Sequence, residues 1–296
     1  MASLLELRKK IGGIKNMKKI TKAMQLVAAS KMKSFQSSAV HAREYTWALL
    51  PILHHLDEDQ GNVLTEQRTE GTHLFLLYAS DKGLCGGLNT QMWKAMVTSR
   101  EWLESKEGAR KVVTIGKKAL DLAKANHIHP EHSFVGLKER FHTSDLLPMI
   151  THIIDMWKTE KIAKIYIVAP HYKNSFAFYP IVKSFLPFSK DMISSYIGKI
   201  DEERLPKDSN PLFAYIEPNK ERVAEMLFTQ LITAIFTQSL LELKAAEYSS
   251  RMIAMQNATD SAEKMIQQNG LLLNKIRQQL ITQQIAEVSA AGEAIQ

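Results

Sequence analysis

The longest regular pattern of apolar positions lies in the last quarter of the chain. Starting at Leu227 and stepping alternately by four and three gives Leu227, Leu231, Ala234, Gln238, Leu241, Ala245, Tyr248, Met252, Met255, Thr259, Ala262, Ile266, Asn269, Leu273, Ile276 and Leu280. Thirteen of these sixteen are apolar. A spacing of about 3.5 residues held over more than seven heptads is the signature of a coiled-coil seam. No proline follows Pro218, and the only later glycines are Gly270 and Gly292, so nothing interrupts the helix. The first segment has the same texture. Ile14, Met17, Thr21, Met24, Ala28, Lys31 and Phe35 fall on one helical face, with Lys31 breaking the stripe. Between the ends the period changes. "LFLLYA" (74–79), "KVVTIG" (111–116) and "KIYIVAP" (164–170) are short apolar runs suited to buried parallel strands. Helical stretches over Thr90–Glu104, Lys117–Ala125 and Ser144–Thr159 separate them, the last capped by Ser144 with Asp145. A further strand is expected at Ser175–Pro187, at a sheet edge because of Pro180. Strand, helix, strand in series implies right-handed crossovers.

These patterns divide the chain into an N-terminal helix (1–57), a polar linker, an α/β domain (73–210) and a C-terminal helix (211–296). At ~1.5 Å per residue the helical parts should span roughly 80 and 105 Å, so pairing them leaves about 25 Å of the longer one uncovered. That end is rich in Leu271, Leu272, Leu273, Ile276, Leu280, Ile281 and Ile285, more apolar surface than one partner helix covers. A surrounding partner is therefore expected there.

Charge sharpens the picture. Net charge is +7, but residues 1–40 hold nine Lys/Arg against Glu6 alone, so the remainder of the 296 residues is nearly neutral. The basicity belongs to one helix, which also carries small residues (Ala23, Ala28, Ala29, Ser30) that allow close packing. One cysteine, Cys85, excludes an intrachain disulfide. No run of ~18 uninterrupted apolar residues suggests a membrane span. The acid-poor start resembles a transit peptide in composition, but it runs smoothly into the helix and is read as part of the mature protein.

Catalytic chemistry is hard to find. "SDKGLCGGLN" (80–89) follows the first strand, as a phosphate-binding turn would, but lacks both GxGxxG and GxxxxGK[ST]. Cys85 within it has no local base. His127, His129 and His132 cluster around Pro130 without a supporting ligand motif, His54 and His55 point apart on a helix, and His152 with Asp155 reads as solvated surface. Glu202 and Glu203 sit in a polar loop. No metal or cofactor is expected. A basic zipper needs its basic block to lead directly into the dimer seam, and here an entire domain intervenes, so nucleic-acid binding is not expected.

Four stretches then become recognisable in order: "ITKAMQLVAASKM" (20–32), "SDKGLCGGLN" (80–89), "RMIAMQNATDSA" (251–262) and "NKIRQQLITQQI" (274–285). Together they resemble the gamma subunit of the F-type ATP synthase, over essentially the whole chain. The resemblance implies an α/β plus coiled-coil fold: a long antiparallel coiled coil of the two terminal helices, with a central Rossmann-like α/β domain. It implies a non-catalytic rotor shaft that couples proton-driven rotation of the c ring to conformational cycling of the beta subunits. The partners would be the hexamer of alpha and beta subunits, the epsilon subunit and the membrane c-subunit ring, with no direct membrane insertion. The location would be peripheral, on the cytoplasmic face of the bacterial inner membrane.

The resemblance also assigns residues. Lys9, Lys10, Lys18, Lys22, Lys31 and Lys33 would form a collar attracting an acidic lever of the beta subunits, with Met24 at the same contact. Arg251 would face the hexamer. Arg277, Gln278 and Thr282 would touch beta-subunit loops near the tip. Glu217 would be a foot residue near the c ring. The sequence departs from the family at Ser261 (usually asparagine), at Gln284 (usually glutamate) and at Tyr215, displaced from the tyrosine that usually adjoins the foot glutamate. The Gln284 change removes a charge and weakens the expected bond to the beta loop. The competing readings are a stand-alone α/β enzyme with helical dimerisation arms and a basic-helix nucleic-acid binder.

Overall fold

A computed structural model describes residues 4–54, 63–174, 177–189 and 219–293. Its elements are α1 (Leu4–His54), β1 (Thr72–Tyr78), α2 (Leu88–Thr98), α3 (Arg100–Glu104), β2 (Arg110–Ile115), α4 (Lys117–Ala125), β3 (His132–Phe134), α5 (Thr143–Thr159), β4 (Ile162–Asn174), β5 (Ala177–Leu186) and α6 (Lys220–Glu293). The chain forms two compact units, one of Met1–Ala29 with Arg251–Gln296 and one of Ser30–Ser250.

The first unit is an antiparallel helix pair. Thr259 donates to Thr21 across it at 2.8 Å, Gln25 donates to Gln256, and Lys18 pairs with Glu263. As α1 advances from 18 to 25, its partners retreat from 263 to 256, which fixes the antiparallel direction. Leu7, Ala28, Met255 and Ala262 are buried along the seam. The stripe on α1 differs from the hydrophobic reading most clearly at Met17. Met17, expected inside, is 58% exposed, and Lys18 faces the seam instead. The reason is a polar partner on the other helix, which a pattern of apolar residues does not register.

The second unit is a mixed five-stranded sheet in the order β3-β2-β1-β4-β5. β1 pairs in parallel with β2 and β4, and β2 with β3, while β4 and β5 form an antiparallel hairpin. β1 occupies the centre, and Leu74 to Tyr78 are wholly buried, as a strand covered on both faces requires. β5 is one of the two edge strands, where Pro180 costs no ladder bond to a further strand. β3 escaped the sequence reading because three residues with a histidine at the start carry no strand pattern. The helix expected over Thr90–Glu104 breaks at Ser99, whose extended backbone ends α2 and whose Oγ accepts from Trp102 N–H at 3.2 Å to start α3. α5 begins one residue before the expected cap. Asp145 does cap it, accepting from His142 N–H at 2.9 Å, but Ser144 lies inside the first turn.

α6 is enclosed within this unit. From Gln238 to Ser249 every residue except Leu241 is buried. An enclosed helix must satisfy each polar side chain internally. Lys244 pairs with Glu247 at 3.2 Å. Glu242 ties three elements together: it accepts from Arg43 of α1 at 2.9 Å, from His171 Nδ1 and Tyr172 N–H of β4 at 3.1 and 3.3 Å, and from Gln238 at 3.0 Å. Burial alone would raise its pKa. The hydrogen bonds from His171 and Gln238, with the charges of His171 and Arg43, outweigh that and hold it at about 2, below the ordinary 4.5. One stretch of α6 is apolar and long enough to cross a membrane by composition, but 72% of it is buried inside the protein, as in a core helix.

Two expectations follow. Gly116, between β2 and α4, has φ +97, and a Cβ there would lie 2.1 Å from the Ala79 carbonyl oxygen. Gly116→Ala is expected to lower unfolding free energy by about 2 kcal/mol in urea titration, and an unchanged midpoint would contradict the assigned backbone. Glu242, with its pKa depressed, contributes stability that is full above pH 4.5 and is lost as pH falls towards about 2. Glu242→Gln should therefore cost about 2 kcal/mol at neutral pH. It should also flatten the loss of stability across that acid range, as read by thermal unfolding at stepped pH.

Candidate interaction surface

α1 carries the basic face, and its helical turn decides which lysines are free. Lys18 pairs with Glu263, and Lys22 donates to Gln25 Oε1 at 3.1 Å. Lys31 pairs with Glu139, and its Nζ lies 5.6 Å from the centre of the Tyr248 ring. Glu139 also accepts from the Tyr248 hydroxyl, and Phe35 stacks on that ring. The Lys31 bond first, then the Tyr248 bond, lowers the Glu139 pKa to about 2. By contrast Lys9, Lys10, Lys15, Lys19 and Lys33 are exposed and make no ion pair among the described residues. Half of the expected collar, Lys18, Lys22 and Lys31, is thus engaged within the chain, and Lys9, Lys10 and Lys33 point their charge outward. The helix pair of the first unit holds an open groove of about 780 Å³, lined by Lys15, Lys19, Leu26 and Ile266 among others.

The other expected contacts separate by burial. Met24 is half-buried, and Arg251 is buried. Arg277, Gln278 and Thr282 are exposed on the C-terminal part of α6, as are Ser261 and Gln284. Around them Leu271, Leu272, Leu280, Ile281, Ile285 and Val288 are exposed too, a run of apolar side chains with no cover among the described residues. Glu217 and Tyr215 lie outside the described residues. Glu139 and Glu263 were missed as partners of the basic helix, because pairings between distant segments leave no local spacing to read.

The turn after β1 is closed by its own side chains. Asn89 Oδ1 accepts from Ser80 N–H at 3.0 Å, and Ser80 Oγ donates to the Lys82 carbonyl at 2.7 Å. Asn89 Nδ2 lies 3.3 Å from the Cys85 sulfur, and Ser250 Oγ donates to the Cys85 carbonyl at 2.5 Å. Cys85 is 2% exposed. Asp81 accepts from Lys117 and Gly136 N–H at 2.9 and 3.2 Å, tying the turn to the neighbouring loops. The groups that could have cradled a phosphate therefore hold the loop together. His132 and His152 come together, ring centres 4.4 Å apart against Phe134, and burial with the nearby His152 charge lowers the His132 pKa. Among the described residues no three His, Cys, Asp or Glu side chains converge on a metal-binding geometry.

Comparison with known proteins agrees over the full length. A family model described as ATP synthase matches residues 3–295. The chain is 31% identical over 299 residues to the ATP synthase gamma chain of Acidithiobacillus ferrooxidans (strain ATCC 53993 / BNL-5-31), covering all of both chains. It is also 31% identical over 300 residues to the ATP synthase gamma chain of Ruthia magnifica subsp. Calyptogena magnifica, again over all of both. A solved chain from the Euglena gracilis mitochondrial ATP synthase, OSCP/F1/c-ring in rotational state 3, superposes with TM-score 0.66 at 18% identity, over 99% of this chain and 94% of that one. A chain from the Tetrahymena thermophila mitochondrial ATP synthase central stalk and c-ring gives 0.57 at 22% identity, over 81% and 99%. These last two carry the fold, and the full-length sequence matches carry the kinship: the chain belongs to the ATP synthase gamma chain family.

Proposed function

We propose that the chain is the central rotor shaft of an F-type ATP synthase, a non-catalytic subunit that couples c-ring rotation to the catalytic cycle of the beta subunits. Its partners are the hexamer of alpha and beta subunits, the epsilon subunit and the membrane c ring. The full-length bacterial relatives support a peripheral position on the cytoplasmic face of the inner membrane. The observation that carries this reading is the uncovered apolar run from Leu271 to Val288 at the end of a 74-residue helix. Such a surface is unfavourable in water and calls for an enclosing sleeve. The hexamer supplies it.

The mechanism follows from differential contact. A shaft changes the balance among beta-subunit states only if it touches them differently at each angle. The free lysines Lys9, Lys10 and Lys33 supply long-range attraction to an acidic lever, with Met24 at the same contact, and Arg251 is a separate position on the side of the hexamer. Arg277, Gln278 and Thr282 supply the polar contacts near the tip, with Gln284 contributing no charge. Glu217 is the foot contact with the c ring. Nucleotide chemistry takes place elsewhere. An enzyme built on the turn at residues 80–89 lacks support, since Ser80, Asp81 and Asn89 already hold one another and the adjoining loops.

Co-purification tests the sleeve. Leu271→Asp with Ile285→Asp should abolish capture of alpha and beta subunits by the tagged chain, yet alter the stability of the isolated chain by less than about 0.5 kcal/mol, because both sites are exposed. Undiminished capture refutes the sleeve. The collar is tested by Lys9→Glu, Lys10→Glu and Lys33→Glu together. ATP-driven proton pumping by the reconstituted complex should fall by about ten-fold as attraction becomes repulsion. Pumping at the unmodified level would remove these lysines from the coupling contact.

A further inference from the structure

Two stripes of α1 compete for the seam of the helix pair. Ile14, Met17, Thr21, Met24 and Ala28 form the stripe that hydrophobicity favours. Ile11, Ile14, Lys18, Thr21, Gln25 and Ala28 keep the same spacing but put a lysine and a glutamine where the first has methionines. The two share three positions and differ by a turn of the helix about its own axis of about half the ~100° between successive residues. The structure adopts the second, leaving Met17, Ile20 and Val27 each more than half exposed.

What the second stripe gains is a set of polar links to α6. Lys18 meets Glu263. Thr21 and Thr259, both buried, share a 2.8 Å hydrogen bond. The third link is a chain running one way: Lys22 Nζ donates to Gln25 Oε1 at 3.1 Å, Gln25 Nε2 to Gln256 Oε1, and Gln256 Nε2 to Asp260 at 2.9 Å. A cation at one end and a carboxylate at the other fix the sense of both amides, so this link tolerates no other pairing. Apolar packing is non-directional and accepts either stripe, whereas these bonds accept one.

We infer that the polar links to Glu263 and Gln256 set the rotation of α1 about its own axis and so keep Met17, Ile20 and Val27 turned outward. The inference stands on the helix pair alone and does not depend on the shaft reading. The test is methionine oxidation in the full-length chain, quantified by peptide mass spectrometry after brief peroxide exposure. Met17 is compared with Met226, which is 66% exposed. In Gln256→Leu with Glu263→Leu, α1 should turn its methionines inward, and Met17 oxidation relative to Met226 should fall by about five-fold. An unchanged ratio in a variant of normal helix content overturns the inference. Should that variant not fold, Gln256→Ala alone should give a fall of about two-fold, and no fall overturns it equally.

Discussion

A pair of helices can cover only one stripe of each partner. Everything else on both perimeters must face water, another element of the chain, or another protein. This constraint organises the whole molecule. In the first unit it leaves most of the lysines and several large apolar side chains of α1 outside, and the apolar end of α6 bare. In a free-standing protein that combination would be a liability. It makes sense for an element that other subunits enclose, which is where family membership and geometry meet.

The second unit meets the same constraint with its own chain. There α6 is enclosed on nearly every side from Gln238 to Ser249, and the cost is transferred to its polar residues. A carboxylate buried in this way survives as a charge only because four donors converge on it. Glu242 thus links α1, β4 and α6 through directional bonds that hydrophobic packing alone would not specify. Glu139 plays a related part nearer the surface, fastening the loop after β3 to Lys31 and Tyr248. One long helix therefore shows both solutions: internal pairing where the chain surrounds it, and exposed apolar side chains where it does not.

The fold was legible wherever periodicity persisted. Both long helices, the three parallel strands and the edge placement of Pro180 follow from runs long enough for a period to emerge. The edge strand β3 did not emerge, since three residues carry no period. The site was legible in part. The basic helix and the greasy tip are composition effects and can be read directly. Which lysines are free could not be read, because Glu139 and Glu263 lie more than a hundred residues away and nothing local marks them as partners.

The misplacement of Met17 is the most informative of these differences, and magnitudes explain it. Full burial of a methionine gains about 2 kcal/mol, which favours the stripe that hydrophobicity selects. Against this stand the amide link, worth about 1 kcal/mol net, and a half-exposed ion pair worth ~0.5 kcal/mol. The two totals are nearly equal. A pattern that counts apolar residues is then deciding a contest whose margin is smaller than the terms it ignores. It follows that the orientation of α1 is held by few interactions, and that the composition of its outer face is as much a product of Gln256 and Glu263 as of the residues that form that face.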